Sequence, residues 1–164
     1  MTQRATWDET WDNVAQTLRW RSLCSRSRVA AVITDARHRV VSTGYNGPPA
    51  GFVHSDLPCD QWCPRGAEGD DAPLCMSVHA EANALISGDR SSWQGGTMYV
   101  TKHPCLECAK MIANSGLDRL FVSDERMIEG KHAEVYKFLM EECGIKVELN
   151  FRLDSALVIP LKGV

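Results

Sequence analysis

His79-Ala80-Glu81 and, further along, Pro104-Cys105-Leu106-Glu107-Cys108 hold the residues of this chain whose types could do chemistry together. One imidazole and two thiolates are three ligands for a tetrahedral zinc, and three protein ligands leave the fourth position open to water. Glu81, two residues after the histidine, is then placed to move protons rather than to bind metal. Each half is weak alone. A His-x-Glu triplet is usually two solvated side chains on a helix, and a Cys-x-x-Cys also serves as a redox pair or half of a structural zinc site. The redox reading lacks its usual surroundings, a thioredoxin-like unit with the pair near the start of a βαβ run.

The joint pattern, His-x-Glu followed by Pro-Cys-x-x-Cys, is an already described signature of the zinc-dependent nucleobase deaminases. The class is therefore matched here, not deduced. Zinc in such a site acidifies a bound water to a pKa near ~7. Glu81 would take a proton from that water, deliver it to the ring nitrogen beside the amino-bearing carbon, and then protonate the departing ammonia. One carboxylate in a closed pocket serves as base and acid in turn.

The elements must bring these groups together. Ala80 to Ile86 is made largely of good helix formers, and Gly88 stops it. Residues two apart on a regular helix point to nearly opposite sides, so His79 and Glu81 share a site only if that helix begins at the histidine. Cys105 to Ala113 reads as a second helix, opened by Pro104, with Met111 and Ile112 on its apolar face and Asn114 to Gly116 at its close. Both cysteines would lie in its first turn, where the positive end of the helix dipole favours thiolate.

Around these two helices the chain alternates. Thr6-Trp7-Asp8-Glu9 is a capping box. Trp7, Trp11, Val14, Ala15 and Leu18 follow at helical spacing, which predicts an amphipathic helix to about Arg21 whose aromatic stripe packs in the core. Val29–Thr34 and Arg39–Gly44 predict a hairpin about Asp35–His38, with His38 a solvated turn residue. Pro48 to Pro73 is a long Pro-, Gly-, Asp- and Cys-bearing loop, of a length that is usually functional. Strands are expected at Thr97–Thr101, Arg119–Ser123 and Lys146–Leu149, and a helix at Ala133–Cys143 stopped by Gly144, with Cys143 in the core. Ala156–Leu161 would add a strand or an intersubunit contact. This order predicts an α/β domain whose mixed sheet is covered on both faces.

Bulk properties narrow the function. Residues 1–164 suit one domain. With 44% apolar and 24% charged residues, the chain is neither disordered nor a disulfide scaffold. No apolar run approaches the ~18 residues of a membrane span. Met1–Asp12 carries Trp, Asp and Glu in place of a signal sequence, so a cytoplasmic location is expected. Seven cysteines then point to a reducing compartment and metal binding. Eighteen basic against 21 acidic residues give a net charge of −3, without the basic excess of a nucleic-acid binder. Basic residues do cluster between Arg19 and Arg39, which allows a local positive pocket, while the overall balance favours a small anionic ligand over a polymer.

From Trp7 to Leu149 the chain resembles the deoxycytidylate (dCMP) deaminases of the cytidine-deaminase superfamily. The marks are Cys24-Ser25-Arg26, the Val29–Ile33 strand, Thr43-Gly44-Tyr45-Asn46-Gly47-Pro48-Pro49-Ala50-Gly51, His79-Ala80-Glu81-Ala82-Asn83-Ala84, and Thr97 through Lys110. The Gly-Tyr-Asn-Gly-x-Pro-x-Gly stretch separates this branch from transfer-RNA adenosine deaminases and riboflavin-pathway deaminases. The resemblance implies a three-layer α/β/α cytidine-deaminase-like fold with a mixed sheet of roughly five strands, and hydrolysis of dCMP to dUMP and ammonia, feeding thymidylate synthesis.

It also implies site residues. Asn46, Ala80 and His103 would meet the nucleotide. Arg26 and Arg28 would hold its 5′-phosphate through paired guanidinium donors, unless they are solvated surface residues at the start of a strand. A second, structural Zn²⁺ would use Cys24, Cys59, Cys63 and Cys75, with His54 as a substitute ligand, unless these are simply buried or free thiols. A homo-oligomer is implied, a hexamer above others, with dCTP and dTTP as effectors. The effector triphosphate, with Mg²⁺, would bind at Asn46, Gly47 and Gly51, unless that loop is only a tight turn. Two positions depart from the family. His54-Ser55 stands where His-Cys is common, and Ala30 where Gly is usual, so that its methyl would narrow the pocket. Three rivals stand beside dCMP: a deaminase of dCTP, 5-modified dCMP or a cytidine derivative; a nucleic-acid editing deaminase; and a non-catalytic nucleotide sensor.

Overall fold

Thr6 starts the first helix as the capping box requires. In the computed structural model, which describes residues 4–53, 56–61, 75–124 and 129–150, its hydroxyl accepts the Glu9 N–H at 3.2 Å while the Glu9 carboxylate accepts the Thr6 N–H at 2.7 Å. Helix α1 spans Trp7–Leu18, and a 3-10 turn carries it on to Arg21. Only part of the apolar stripe meets the sheet. Ala15 is buried and Trp11 and Leu18 partly so, but Trp7 is 53% exposed and Val14 38%. The expectation of a wholly internal stripe is therefore corrected. Trp7 instead stacks on Trp11 at 5.7 Å and on His38 at 5.5 Å. His38 is thus half-buried against an aromatic ring and not a solvated turn residue, and it holds a left-handed φ of 61°.

Strands β1 (Ala30–Thr34) and β2 (Val40–Tyr45) form the predicted antiparallel hairpin, with Ala31 opposite Gly44. The Asp35 carboxylate closes its turn by accepting the N–H groups of Arg37 and Arg39. Strand β3 (Thr97–Val100) pairs antiparallel with β1; β4 (Arg119–Val122) and β5 (Lys146–Leu149) then add in parallel. The order β2-β1-β3-β4-β5 makes a mixed five-stranded sheet. Period-two alternation sorts its side chains. Ala31, Ile33, Met98, Val100, Leu120 and Val122 pack with residues of α2 (Ala80–Ser87), α3 (Leu106–Ala113) and α4 (Gly130–Glu142). Val32, Tyr99 and Phe121 face Ala15 of α1 on the other side. The result is a three-layer α/β/α domain.

Polar contacts lock α1 onto the sheet. Arg119 donates two hydrogen bonds to the Asp8 carboxylate, at 2.7 and 2.6 Å, and also pairs with Glu148. The Tyr99 hydroxyl donates to Asp8 at 2.9 Å. Asp12, buried one turn on, accepts from Ser123 and from Asn150.

On the opposite face, Gly44 lets α2 come down onto β2. A Cβ there would lie 2.3 Å from the Ala80 carbonyl oxygen and 2.4 Å from the Ala84 nitrogen. Ser42 fastens the same helix by donating to the Ala84 carbonyl at 2.6 Å. Helix α4 begins at Gly130, earlier than the sequence pattern suggested, and ends where Gly144 adopts φ +70°. Its buried residues are Tyr136 and Met140. Cys143 is exposed, which overturns its reading as core; it lies past the last helical turn, and Ile145 fills the interior instead. Ala156–Leu161 and much of the Pro48–Pro73 stretch lie outside the described residues. Among those described, no helix is long and apolar enough to cross a membrane.

Candidate active site

Two helix starts meet beside the C-terminal end of β3. His79 is the N-cap of α2, with extended backbone (φ −69°, ψ 153°), so the helix begins where the chemistry needs it to. That break in the helical repeat lets the imidazole and Glu81 turn toward one site. Cys105 is the N-cap of α3, one residue before the helix proper, where the sequence pattern had put it inside the first turn. Cys108 follows within that turn and donates its N–H to the Cys105 sulfur at 3.5 Å. His79 Nδ1 lies 3.4 Å from each sulfur. Among the described residues, this is the one trio of such donors whose ligand atoms all fall within 4.8 Å of one another.

The electrostatics suit a cation. Hydrogen bonds from the Cys108 thiol and from His79 hold Cys105 down to about 3, a thiolate at neutral pH. The same thiolate, with burial, pushes Cys108 up, and it raises His79. One negative charge and three N/S donors therefore converge, a set that fits zinc with a fourth position toward the cavity. Glu81 is 4% exposed, and burial pushes its carboxyl above the usual range. Burial therefore favours the protonated carboxyl, the direction suited to a group that both takes up and gives back a proton.

The adjoining cavity has a volume of about 430 Å³, in the range of small-ligand sites. Asn46 lines it and is buried. Its carbonyl oxygen accepts the Val29 N–H at 2.8 Å and its amide donates to the Ser27 carbonyl at 2.9 Å. It thereby pins the chain entering β1, with one amide hydrogen left over. Gly47 pairs with Val78 through two backbone hydrogen bonds, which ties the Asn46 loop to the approach to His79. Ala80 and His103 also line the cavity, His103 edge-on to Tyr136 at 6.2 Å.

Other sequence expectations distribute unevenly. Arg26 lines the cavity; Arg28 does not, and its guanidinium sits 5.0 Å from the centre of the exposed Trp20 ring. Gly47 and Gly51 do not line it either. Ala30 shares the parity of Val32, so its methyl faces the α1 side and does not narrow the cavity. Cys24 and Cys75 both border the cavity. Cys59 lies close by, where its N–H donates to the Leu23 carbonyl and its sulfur accepts from the Ser25 N–H at 3.4 Å. Burial opposes its ionisation, but the hydrogen bonds from Ser25 and Cys24 outweigh this and hold its thiol below the usual value. Cys63 and His54 lie outside the described residues. Sequence reasoning passed over Ser27, Lys102, His132 and Tyr136, which complete the lining. No motif contains Ser27 or His132, Tyr136 looks like one more apolar residue of α4, and Lys102 is a single charge in a loop.

A buried carboxylate beside a His/Cys/Cys set, on a three-layer α/β/α domain, defines a hydrolytic zinc-site protein of the deaminase class. Residues 5–124 match the family described as the cytidine and deoxycytidylate deaminase zinc-binding region, and the chain belongs to that family. A deoxycytidylate deaminase of Mycobacterium phage D29 is 41% identical over 131 residues, covering 74% of this chain and 98% of the phage protein. The human deoxycytidylate deaminase is 30% identical over 158 residues, covering 96% of this chain and 87% of its own. The crystal structure of the dCMP deaminase of cyanophage S-TIM5, in complex with dCMP and dUMP, shares the fold. Its TM-score is 0.68 at 24% identity, over 91% of this chain and 100% of that one.

Proposed function

We propose that this protein is an enzyme that hydrolyses dCMP to dUMP and ammonia. The observation that carries this reading is Glu81, buried against the His79–Cys105–Cys108 trio at the inner end of a nucleotide-sized cavity. Family membership and the two relatives named deoxycytidylate deaminase support the same substrate. His79, Cys105 and Cys108 would hold Zn²⁺, which would supply an acidified water. Glu81 takes one proton from the attacking water and gives it to the ring nitrogen next to the amino-bearing carbon. It then takes the remaining proton of the newly added hydroxyl and gives it to the amino group, which leaves as ammonia while the carbonyl forms. Buried Ala80 and half-buried His103 form part of the wall that keeps bulk water from the base. Asn46 holds the Ser27–Val29 segment and offers its remaining amide hydrogen to the nucleotide. Arg26, at the cavity, takes the 5′-phosphate.

Three further features belong to this reading. A second Zn²⁺ site draws on Cys24, Cys59 and Cys75, together with Cys63; the lowered Cys59 thiol and the position of Cys24 and Cys75 on the same cavity support it. The Asn46–Gly51 segment serves dCTP or dTTP with Mg²⁺, in a homo-oligomer. Supporting this is the backbone pairing of Gly47 with Val78, next to His79, which gives a ligand there a route to the zinc ligand. The protein works in the cytoplasm.

The deciding assay is ammonia release from dCMP, dCTP, deoxycytidine, 5-methyl-dCMP and single-stranded DNA. dCMP should give the highest kcat/KM. A higher value for any other member of the panel would overturn the substrate assignment.

A further inference from the structure

Lys102 follows Thr101, whose hydroxyl accepts the Ala30 N–H at 3.0 Å, and so it is carried on an anchored turn between β3 and α3. Its side chain is half-buried, lines the cavity, and places Nζ 3.3 Å from the Ser27 hydroxyl. Ser27 is itself fixed: Asn46 holds its carbonyl, and its N–H donates to the Cys24 sulfur at 3.4 Å. Arg26, its neighbour in sequence, lines the same cavity.

Among the described residues lining the cavity, Glu81 is the sole carboxylate, and it lies buried at the metal end. No acid among the described residues forms an ion pair with Lys102. An ammonium carries three donors; Ser27 meets one of them, and both Lys102 and Arg26 line the cavity. The Ser27 hydroxyl accepts from Lys102, which leaves its own O–H to give to an acceptor. Lysine and serine donors beside a guanidinium are the chemistry that grips a phosphate.

Building on the dCMP reading above, we propose that Lys102, with Ser27 bridging it to Arg26, is a specificity-determining residue that binds the 5′-phosphate and selects a nucleoside monophosphate over the free nucleoside. Lys102 supplies a point charge, Ser27 a fixed donor, and Arg26 a planar one. Lys102 and Ser27 lie far apart in sequence, so their meeting depends on β1 and β3 pairing in register.

The test measures kcat/KM for dCMP and for deoxycytidine, and Kd for dUMP and deoxyuridine by calorimetry, in the wild-type, Lys102→Met, Lys102→Arg and Ser27→Ala holoenzymes. Lys102→Met should lower kcat/KM for dCMP and weaken dUMP binding by about 10- to 150-fold, the loss expected for a hydrogen bond to a charged group. Both nucleosides should change less than about 3-fold, which is within the near-neutral range of a residue that leaves them untouched. Lys102→Arg should recover most of the dUMP affinity, and Ser27→Ala should lose part of it. Equal losses for nucleotide and nucleoside would overturn the proposal, since a lysine that merely pins the Ser27 segment would affect both alike. So would an unchanged dUMP affinity in Lys102→Met. A wild-type enzyme that binds dUMP but fails to turn over dCMP would instead strike the functional reading and leave the Lys102 measurement standing.

Discussion

His79 and Cys105 lie 3.4 Å apart, and each is the N-cap of its own helix. A cap residue has extended backbone, so its side chain is not bound to the helical repeat. Two caps facing one another can therefore converge on one point while their helices run away from it. Both positive helix ends then favour a thiolate at that point, where a metal would bind.

Glu81 is the residue whose loss should separate metal binding from turnover. Glu81→Gln keeps the side chain's shape and removes none of the three donor atoms, although the native carboxylate accepts a hydrogen bond from the Cys108 thiol. Zinc content by elemental analysis should stay at the wild-type value, while kcat for dCMP falls by about 10²- to 10⁴-fold. A near-normal rate would remove Glu81 from proton transfer.

Removal of the metal should abolish ammonia release. Dialysis against a strong chelator should leave residual activity near background, and added Zn²⁺ should restore it. Cys108→Ser should lower zinc affinity beyond that restoration, because it replaces the buried sulfur donor of the trio with a hydroxyl, a weaker zinc ligand. Full activity in a metal-free preparation would refute the zinc assignment.

Gly44 should be intolerant of even one methyl group. Gly44→Ala places Cβ against two backbone atoms of α2, so the helix itself must shift. Overpacking of this kind costs about 1–3 kcal/mol, readable in urea unfolding. Because α2 carries His79 at its cap, zinc affinity should fall with stability. A variant that binds zinc normally would show that the close approach of β2 and α2 does not set the site.

Acid should loosen α1 through Asp8. Its carboxyl is held below the ordinary value of 3.8, chiefly by the hydrogen bond from Arg119. Glu148 is lowered by the same guanidinium. A depressed folded-state pKa means that the stabilisation is fully present above the unfolded value and fades as pH drops through the folded one. The Tm gap between wild type and Asp8→Asn should hence be constant from neutral pH to about pH 5 and shrink below about pH 4. A gap that widens on acidification would reverse the sign and reject the linkage.

Local patterns made most of the elements readable. The Thr6 capping box, the Gly88 and Gly144 stops, the Pro104 opening and the apolar, β-branched runs of β1 and β2 depend on neighbours a few residues away, and so they survive in the sequence. The zinc donors were readable for another reason: their residue types allow few other uses at that spacing. What depends on the depth and width of the packed layers was not readable. Trp7 and Cys143 have core-like types yet face outward, because the helix face that meets the sheet is centred on Ala15, with Trp7 left at the helix start, and α4 ends before Cys143.

The sequence alone determined the order of helices and strands, the His/Cys/Cys donors and the acid beside them, since each follows from short-range backbone preference or side-chain chemistry. Only the tertiary structure decided which cations reach the cavity. Arg26 and Arg28 are equivalent in type and nearly adjacent, yet one lines the cavity and the other lies over Trp20. Lys102 reaches Ser27 across 75 positions of chain because β1 and β3 pair in register. Such contacts follow from where long-range packing leaves each side chain, which no local window of residues contains.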